Sequence, residues 1–184
     1  YVLAAPQRPE QASGVTPELI AKIVTVASQM FDHVVIDCPP YATEHVLAVL
    51  DLTDHLALVC TPDAASVKNT AISLEVLSEL RFAGHIDLIV NRAGERVGIS
   101  GSDIAEALHH PVTCEIPHSV DMPLATNHGR LLAVSHPSHD VSAAIRGYAQ
   151  VLNPTTPSAL SATVPAQQTA TRRRRLFGKR VATT

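Results

Sequence analysis

Apolar and polar positions follow two periodicities along the chain: short β-branched runs, and longer stretches with helical spacing. The short runs predict buried strands, because near-continuous apolar segments bounded by turn residues are typical of parallel sheets. They cover residues 33–38, 55–60, 86–91 and 112–116. The longer stretches predict helices at 16–30, 44–52, 64–81, 101–109, 122–128 and 139–152. This alternation predicts an α/β fold with a mostly parallel sheet, helices on both faces and right-handed crossovers.

Composition narrows the range of functions. The chain has 184 residues, of which 46% are hydrophobic and 3% aromatic, with no Trp. That length can bury the core of one domain, and so few aromatic rings argue against stacking platforms for sugars or single-stranded nucleic acid. Cys38, Cys60 and Cys114 are too few and too scattered for a disulfide framework. The sequence contains neither an apolar run of about 18 residues, as a membrane span needs, nor a secretory signal pattern.

Charge divides the chain into an acidic body and a basic tail. Residues 1–153 carry 8 Lys or Arg against 17 Asp or Glu, whereas residues 154–184 carry only basic charges. We expect three segments: an α/β domain over 1–152, a flexible linker rich in Pro, Ser, Thr and Ala over 153–171, and a disordered basic tail over 172–184. Because the body is acidic, an anionic partner should meet the tail.

Each predicted strand ends in a polar or Pro-broken sequence. The four ends are Asp37-Cys38-Pro39-Pro40, Thr61-Pro62-Asp63, Asn91-Arg92 and Ile116-Pro117. Ligands of open parallel sheets bind beyond the carboxyl ends of the strands, so these residues mark a candidate site. Asp37 follows three apolar residues, and a buried acid there needs a partner. It would either hold Mg²⁺ through water, as in a nucleotide phosphate site, or cap the following loop.

Five segments, in order, resemble the MinD/ParA class of deviant P-loop ATPases over residues 1–152. Val34–Pro40 resembles the Walker B strand of that class. The other four are Leu58–Asp63 with Ser66–Thr70, Leu88–Arg92, Glu115–Pro117, and Ala125–Arg130, which matches an A-x-N-x-G pattern. Phe31-Asp32-His33 and the Pro-Pro after Asp37 resemble the CpaE/TadZ pilus-assembly branch most.

The resemblance implies a site for ATP and Mg²⁺. Asp37 would hold Mg²⁺ through water, and the Asn91 amide would hydrogen-bond the adenine, since an amide both donates and accepts. Arg92 would stack on the base or remain a solvated surface residue. The remaining implied contacts are the backbone at Ile116 and Pro117 beside the base, and the lining side chains Thr61 and Asp63.

One departure from that class is large. The three lysines, Lys22, Lys68 and Lys179, lie outside any Gly-rich turn, so these 184 residues contain no Walker A loop. Without backbone N–H groups to cradle phosphates, this chain should not hydrolyse ATP alone. The chain opens at Tyr1 without Met, and we expect an N-terminal truncation, with the phosphate loop preceding Tyr1. In this class the missing strand lies beside Asp37, so we also expect the segment to fold poorly by itself.

The resemblance implies a cytoplasmic, ATP-binding positioning ATPase that forms a nucleotide-dependent homodimer. It would act in pilus or secretion assembly, or in division-site or chromosome positioning. The alternative is a non-catalytic polar-localisation scaffold with the same fold and a degenerate nucleotide site. A phosphate loop of the form K-G-G-x-G-K-[ST] would favour the ATPase.

The basic tail has three interpretations. It could hold the protein at an anionic inner membrane face, bind DNA phosphates, or stay solvated without a fixed target. Its cations are Arg172, Arg173, Arg174, Arg175, Lys179 and Arg180. Only Leu176 and Phe177 accompany them, which argues against deep insertion as an amphipathic helix.

Two further kinds of chemistry are set aside. The chain has 10 histidines, but none has Cys or acidic partners at metal-ligand spacing, so we expect surface or capping roles. Ser119 is a candidate nucleophile without the G-x-S-x-G turn of serine hydrolases.

Overall fold

The secondary structure follows the predicted alternation of strands and helices. The structure, a computed structural model, describes residues 1–4, 8, 14–94 and 99–153; the predicted linker beyond Asn153 and the basic tail lie outside these residues. The described residues form three strands and seven helices, in the order α1 (Pro17–Met30), α2 (Glu44–Leu50), β1 (His55–Cys60), α3 (Ala64–Glu79), β2 (His85–Ala93), α4 (Gly101–Leu108), β3 (Val112–Pro117), α5 (Asp121–Asn127), α6 (Leu132–Ser135) and α7 (Asp140–Val151).

The three strands form one parallel sheet in the order β1-β2-β3. His55 of β1 pairs with His85 of β2, and Leu88 of β2 pairs with Val112 of β3. Parallel neighbours need crossover connections, and helices α3 and α4 provide them. The predicted parallel α/β architecture is confirmed.

The core lies on both faces of the sheet. On one face, Leu88 and Val90 of β2 are fully buried against Ile104 and Leu108 of α4. On the other face, Ile116 of β3 packs with a second cluster formed by Ala125, Leu132, Val141 and Ile145. Because successive side chains of a strand point to opposite faces, both layers of helices are needed to cover β2 and β3.

Helix α1 begins where the sequence predicts it. The Thr16 side chain accepts a hydrogen bond from the Leu19 N–H at 3.3 Å, and Pro17 opens the helix. A hydrogen bond from Thr16 lowers the pKa of Glu18 in the first turn. These features are the N-terminal signals of a helix, and they fix the residue at which α1 begins.

The predicted strand over His33–Cys38 is wrong for this structure. The segment forms no strand, and Val34, Val35 and Ile36 are 38%, 92% and 37% exposed. A strand exists only when a neighbour accepts and donates its backbone hydrogen bonds. Within the described residues no strand pairs with this segment, so its β-branched side chains stay in contact with solvent.

The amino-terminal helices leave apolar surface open. Helix α1 packs on α2, and among the described elements neither helix packs on the sheet to a comparable extent. Val26 and Met30 of α1 are 47% and 68% exposed and line an open apolar groove together with Phe31. On β1, Val59 is 55% exposed. The described fold therefore covers β2 and β3 better than β1.

Gly84 provides a test of the packing before β2. A Cβ there would lie 2.6 Å from the Thr53 carbonyl oxygen and 2.9 Å from that of Asp54, and would also meet the Phe82 ring. Backbone oxygens cannot move aside easily, so we expect Gly84→Ala to destabilise the domain by about 1–3 kcal/mol in urea unfolding. Gly147→Ala is the control, since a Cβ at this position of α7 meets nothing within 4 Å. Alanine restricts the backbone of the unfolded chain, so this variant should be more stable than wild type by about 0.4–1 kcal/mol. Equal midpoints for Gly84→Ala and wild type would contradict this packing.

Candidate functional site

The carboxyl ends of the three strands meet at one edge of the sheet. Cys60 at the end of β1 pairs with Val90, and Asn91 pairs with Ile116. The structure thereby brings together the predicted site residues that follow or end these strands: Thr61, Asn91, Arg92, Ile116 and Pro117. We call this set the strand-end edge. It is the place where an open parallel sheet binds ligands.

A bulge shapes the middle of the strand-end edge. The β2–β3 register shifts between Asn91 and Ala93, and Arg92 between them has a φ of 60°. The Asn91 Oδ1 accepts a hydrogen bond from the Arg92 N–H at 3.0 Å. The Ala93 carbonyl accepts one from the His118 N–H at 2.8 Å, which ties the loop after β3 to the end of β2. Bulges at sheet edges redirect side chains toward sites, and this one exposes Arg92.

The orientation of the Asn91 amide suits a heterocyclic base. Its oxygen is engaged by the backbone, so the amide nitrogen supplies two donors, and the oxygen retains a second lone pair. Asn91 is half-buried, and Ile116 beside it offers an apolar surface. These residues fit the edge of a purine ring, which presents both acceptors and donors.

Thr61 and Asp63 are engaged in the start of helix α3. The Thr61 hydroxyl donates to the Asp63 carboxylate at 2.6 Å, and the Ser66 N–H donates to its other oxygen at 2.9 Å. The bond from Thr61, followed by the one from Ser66, lowers the pKa of Asp63. The Ser66 hydroxyl also accepts from the Thr61 N–H and donates to the Cys60 sulfur. Ser66 was not among the predicted site residues. Asp63 before a helical stretch could have indicated it, because a capping Asp accepts a hydrogen bond from the residue three positions later, which here is Ser66.

Asp37, the predicted Mg²⁺ residue, is not placed at the strand-end edge by any strand pairing. It is exposed, in the segment that forms no strand. The neighbouring Cys38 thiol has its pKa raised by burial and by the Asp37 charge. Among the described residues, no group of three or more His, Cys, Asp or Glu could hold a metal ion. The structure therefore brings the predicted residues at the ends of β1, β2 and β3 together, whereas Asp37 is not joined to them by a strand pairing.

Ser119, His139 and Asp121 lie together but cannot act as a hydrolytic triad. The Ser119 hydroxyl and the Asp121 carboxylate approach the same nitrogen, His139 Nε2, at 3.3 and 3.4 Å. The other nitrogen, Nδ1, accepts a hydrogen bond from the Val141 N–H and caps α7. In a neutral ring Nε2 must then carry the proton, so it cannot take one from Ser119. The rejection of serine hydrolysis agrees with this geometry.

Two curated proteins resemble the chain in sequence. The septum site-determining protein MinD of Bacillus subtilis is 26% identical over 155 residues, which span 82% of this chain and 57% of that protein. An uncharacterized ATP-binding protein of Methanocaldococcus jannaschii is 30% identical over 101 residues, which span 54% of this chain and 38% of that protein. No protein-family model matches the chain.

Solved structures resemble the fold over most of the chain. A ParA family ATPase from Chlorobium tepidum matches with a TM-score of 0.75 and 24% identity, covering 81% of this chain and 62% of that one. MinD of Pyrococcus horikoshii, complexed with Mg-ADP, matches with a TM-score of 0.71 and 17% identity, covering 82% of this chain and 62% of that one. A chain of the MinC:MinD cell division protein complex from Aquifex aeolicus matches with a TM-score of 0.67 and 21% identity, covering 75% of this chain and 59% of that one.

The chain has the fold of the MinD/ParA-type P-loop ATPases. It spans 57% of the Bacillus subtilis MinD and 62% of the Chlorobium tepidum ATPase. Among the described helices, none combines the length and the apolar character that crossing a bilayer requires.

Proposed function

We propose that the strand-end edge is the base side of an ATP site, and that the protein is a dimerising positioning ATPase of the MinD/ParA class. The observation that carries this proposal is the pairing of Asn91 with Ile116 beside the Arg92 bulge, at the carboxyl edge of a parallel sheet. It is supported by the sequence similarity to MinD and by the Mg-ADP complex of a protein with the same fold.

In this proposal the nucleotide is shared between two parts of the site. Asn91, Arg92, Ile116 and Pro117 bind and orient the base, while the Thr61–Asp63–Ser66 network keeps the end of β1 fixed beside them. Mg²⁺ would neutralise the phosphate charge when bound, and Asp37 would hold it through water. A phosphate-binding loop from outside these 184 residues would complete the site.

The proposed pathway is pilus or secretion assembly. Its support is the resemblance of Phe31-Asp32-His33 and Pro39-Pro40 to the CpaE/TadZ branch. Division-site and chromosome positioning are the alternatives, and the MinC:MinD complex gives a precedent for a protein partner in division. A deletion strain distinguishes them: loss of surface pili supports the proposal, whereas normal piliation with misplaced septa or lost chromosomes contradicts it.

Two substitutions test the nucleotide site in the protein produced from its complete coding sequence. Asp37→Ala removes an outer-sphere Mg²⁺ partner and should lower Mg²⁺-dependent ATP hydrolysis about 10–100-fold. Asn91→Ala removes the amide that contacts the base and should weaken ATP binding about tenfold, equivalent to about 1.4 kcal/mol. Hydrolysis rates, nucleotide titration and the ATP-dependence of the dimer mass measure these effects.

Matched controls remove the same chemical groups at exposed positions outside the proposed site. Asp32→Ala removes an exposed acid near Asp37, and Asn69→Ala removes an exposed amide on α3; both should behave as wild type. If wild type binds and hydrolyses no ATP while still localising at a cell pole, the scaffold alternative replaces the ATPase. Unchanged hydrolysis in Asp37→Ala would refute the metal role.

We propose that the basic tail directs the protein to an anionic surface at the inner face of the membrane. Its six cations lie in a short stretch, 172–180, that carries no acid. At about 1 kcal/mol for each basic residue near an anionic bilayer, they contribute at most roughly 6 kcal/mol before entropy and screening. DNA phosphates offer the same chemistry to these cations, with steep salt dependence.

Deletion of residues 172–180 separates the possible targets of the tail. The intact chain should sediment with vesicles containing phosphatidylglycerol, not with purely zwitterionic vesicles, and the deletion should abolish this binding. Duplex DNA of equal phosphate concentration is the competing target. Stronger tail-dependent binding to DNA would favour chromosome placement. If the deletion variant binds the vesicles as well as the intact chain does, the tail does not direct the protein to the membrane.

A further inference from the structure

Four polar side chains meet at the amino ends of β1 and β2, at the opposite edge of the sheet from the strand-end edge. We call His55, His85, Asp87 and Tyr148 the amino-end cluster. The Tyr148 hydroxyl donates to Asp87 Oδ2 at 3.1 Å, and His55 Nδ1 lies 3.3 Å from the same oxygen. His85 Nε2 lies 3.3 Å from Asp87 Oδ1. The cluster thus joins β1, β2 and α7 through one carboxylate.

Asp87 is an acid without exposure to solvent. Its side chain is fully buried, and its Oδ1 has no hydrogen-bond partner, because His85 approaches within ion-pair distance but outside hydrogen-bond geometry. An unpaired buried carboxylate is costly, and the usual outcome is a neighbouring positive charge or protonation. The ion pairs that Asp87 makes in the described structure are with His55 and His85.

The two histidines can exchange protons with solvent although Asp87 cannot. Their side chains are 44% and 67% exposed, against 0% for Asp87. They occupy paired register positions on neighbouring strands, and their rings meet edge to face at 5.4 Å. A solvent proton can therefore reach either ring and create a charge next to a buried carboxylate.

The other titratable groups near the carboxylate stay neutral at ordinary pH. Burial, followed by the Asp87 charge, raises the pKa of Tyr148 on α7. Burial also raises the pKa of Cys114 on β3, whose charge would act on Tyr148. Since both ordinary pKa values lie above about 8 and both are raised further, neither Tyr148 nor Cys114 gains a charge between pH 6 and 8.

We propose that the amino-end cluster is a proton-dependent lock, in which a protonated His55 or His85 neutralises Asp87 and stabilises the junction of β1 and β2 with α7. Histidine changes its charge between about pH 5 and 8. Protonation of either ring supplies the cation that the buried carboxylate lacks. Loss of that proton leaves Asp87 with hydrogen bonds from neutral groups alone, such as that from Tyr148, and an uncompensated buried charge destabilises the junction of the sheet with α7. This inference is independent of the proposed nucleotide site.

Amide hydrogen exchange of the protein produced from its complete coding sequence at pH 6 and pH 8, corrected for intrinsic exchange and measured with EDTA present, tests the lock. In wild type, peptides from β1, β2 and α7 should lose about tenfold in protection from pH 6 to pH 8. His55→Gln/His85→Gln and Asp87→Asn should each remove this pH dependence. The double variant replaces exposed side chains, so it keeps the test informative if Asp87→Asn does not fold.

His33→Gln/His128→Gln is the matched control, since both histidines are exposed and lie outside the cluster. It should retain the wild-type pH dependence. The proposal is overturned if the cluster variants keep that dependence, or if the control loses it. It is also overturned if Zn²⁺, added without EDTA, protects these peptides from exchange more than acidic pH does, because the histidines would then be metal ligands.

Discussion

β2 runs through the middle of the sheet, paired in parallel with β1 and β3, and its central side chains, Leu88 and Val90, have no contact with water. A parallel strand of this kind is stable only when helices cover both of its faces. Helices α3 and α4 cover one face, and α7 with α5 and α6 covers the other. The position of β2 also sets the two chemical features of the domain, because Asn91 lies near one end of the strand and Asp87 near the other.

The same constraint explains why the amino-terminal part of the chain is less well packed. Within the described residues β1 pairs with a neighbour on one side only, Val59 on it is half-exposed, and α1 keeps an open apolar groove. His33–Cys38 also lacks a strand partner in the part of the chain that the structure describes, so its apolar side chains and the open side of β1 are exposed for the same reason, the absence of a neighbouring strand there.

Sequence patterns predicted those elements whose formation depends on the secondary-structure propensity of a short segment and on the burial of its apolar side chains. The strands at 55–60, 86–91 and 112–116 and the start of helix α1 at Thr16 follow from short segments, and the structure has them. His33–Cys38 has the same pattern but failed, because strand formation depends on hydrogen-bond partners that periodicity does not show. The four-residue helix α6 was missed because it is too short for a helical period.

The candidate site and the amino-end cluster differ in how far sequence could reveal them. The ends of parallel strands converge by topology alone, so Asn91 and Ile116 could be placed together without coordinates. The Arg92 bulge could not, since it depends on a register shift with β3. Asp87 was missed because its partners His55 and Tyr148 lie 32 and 61 residues away, and one acid within an apolar strand suggests no role by itself.

The central claim is that an adenine nucleotide binds at the strand-end edge. An experimental structure of the protein from its complete coding sequence, with Mg²⁺ and a non-hydrolysable ATP analogue, tests it most directly. Our account predicts the adenine within hydrogen-bond distance of the Asn91 amide and against the backbone of Ile116 and Pro117. A nucleotide bound elsewhere, or an edge left empty at saturating analogue, would contradict it.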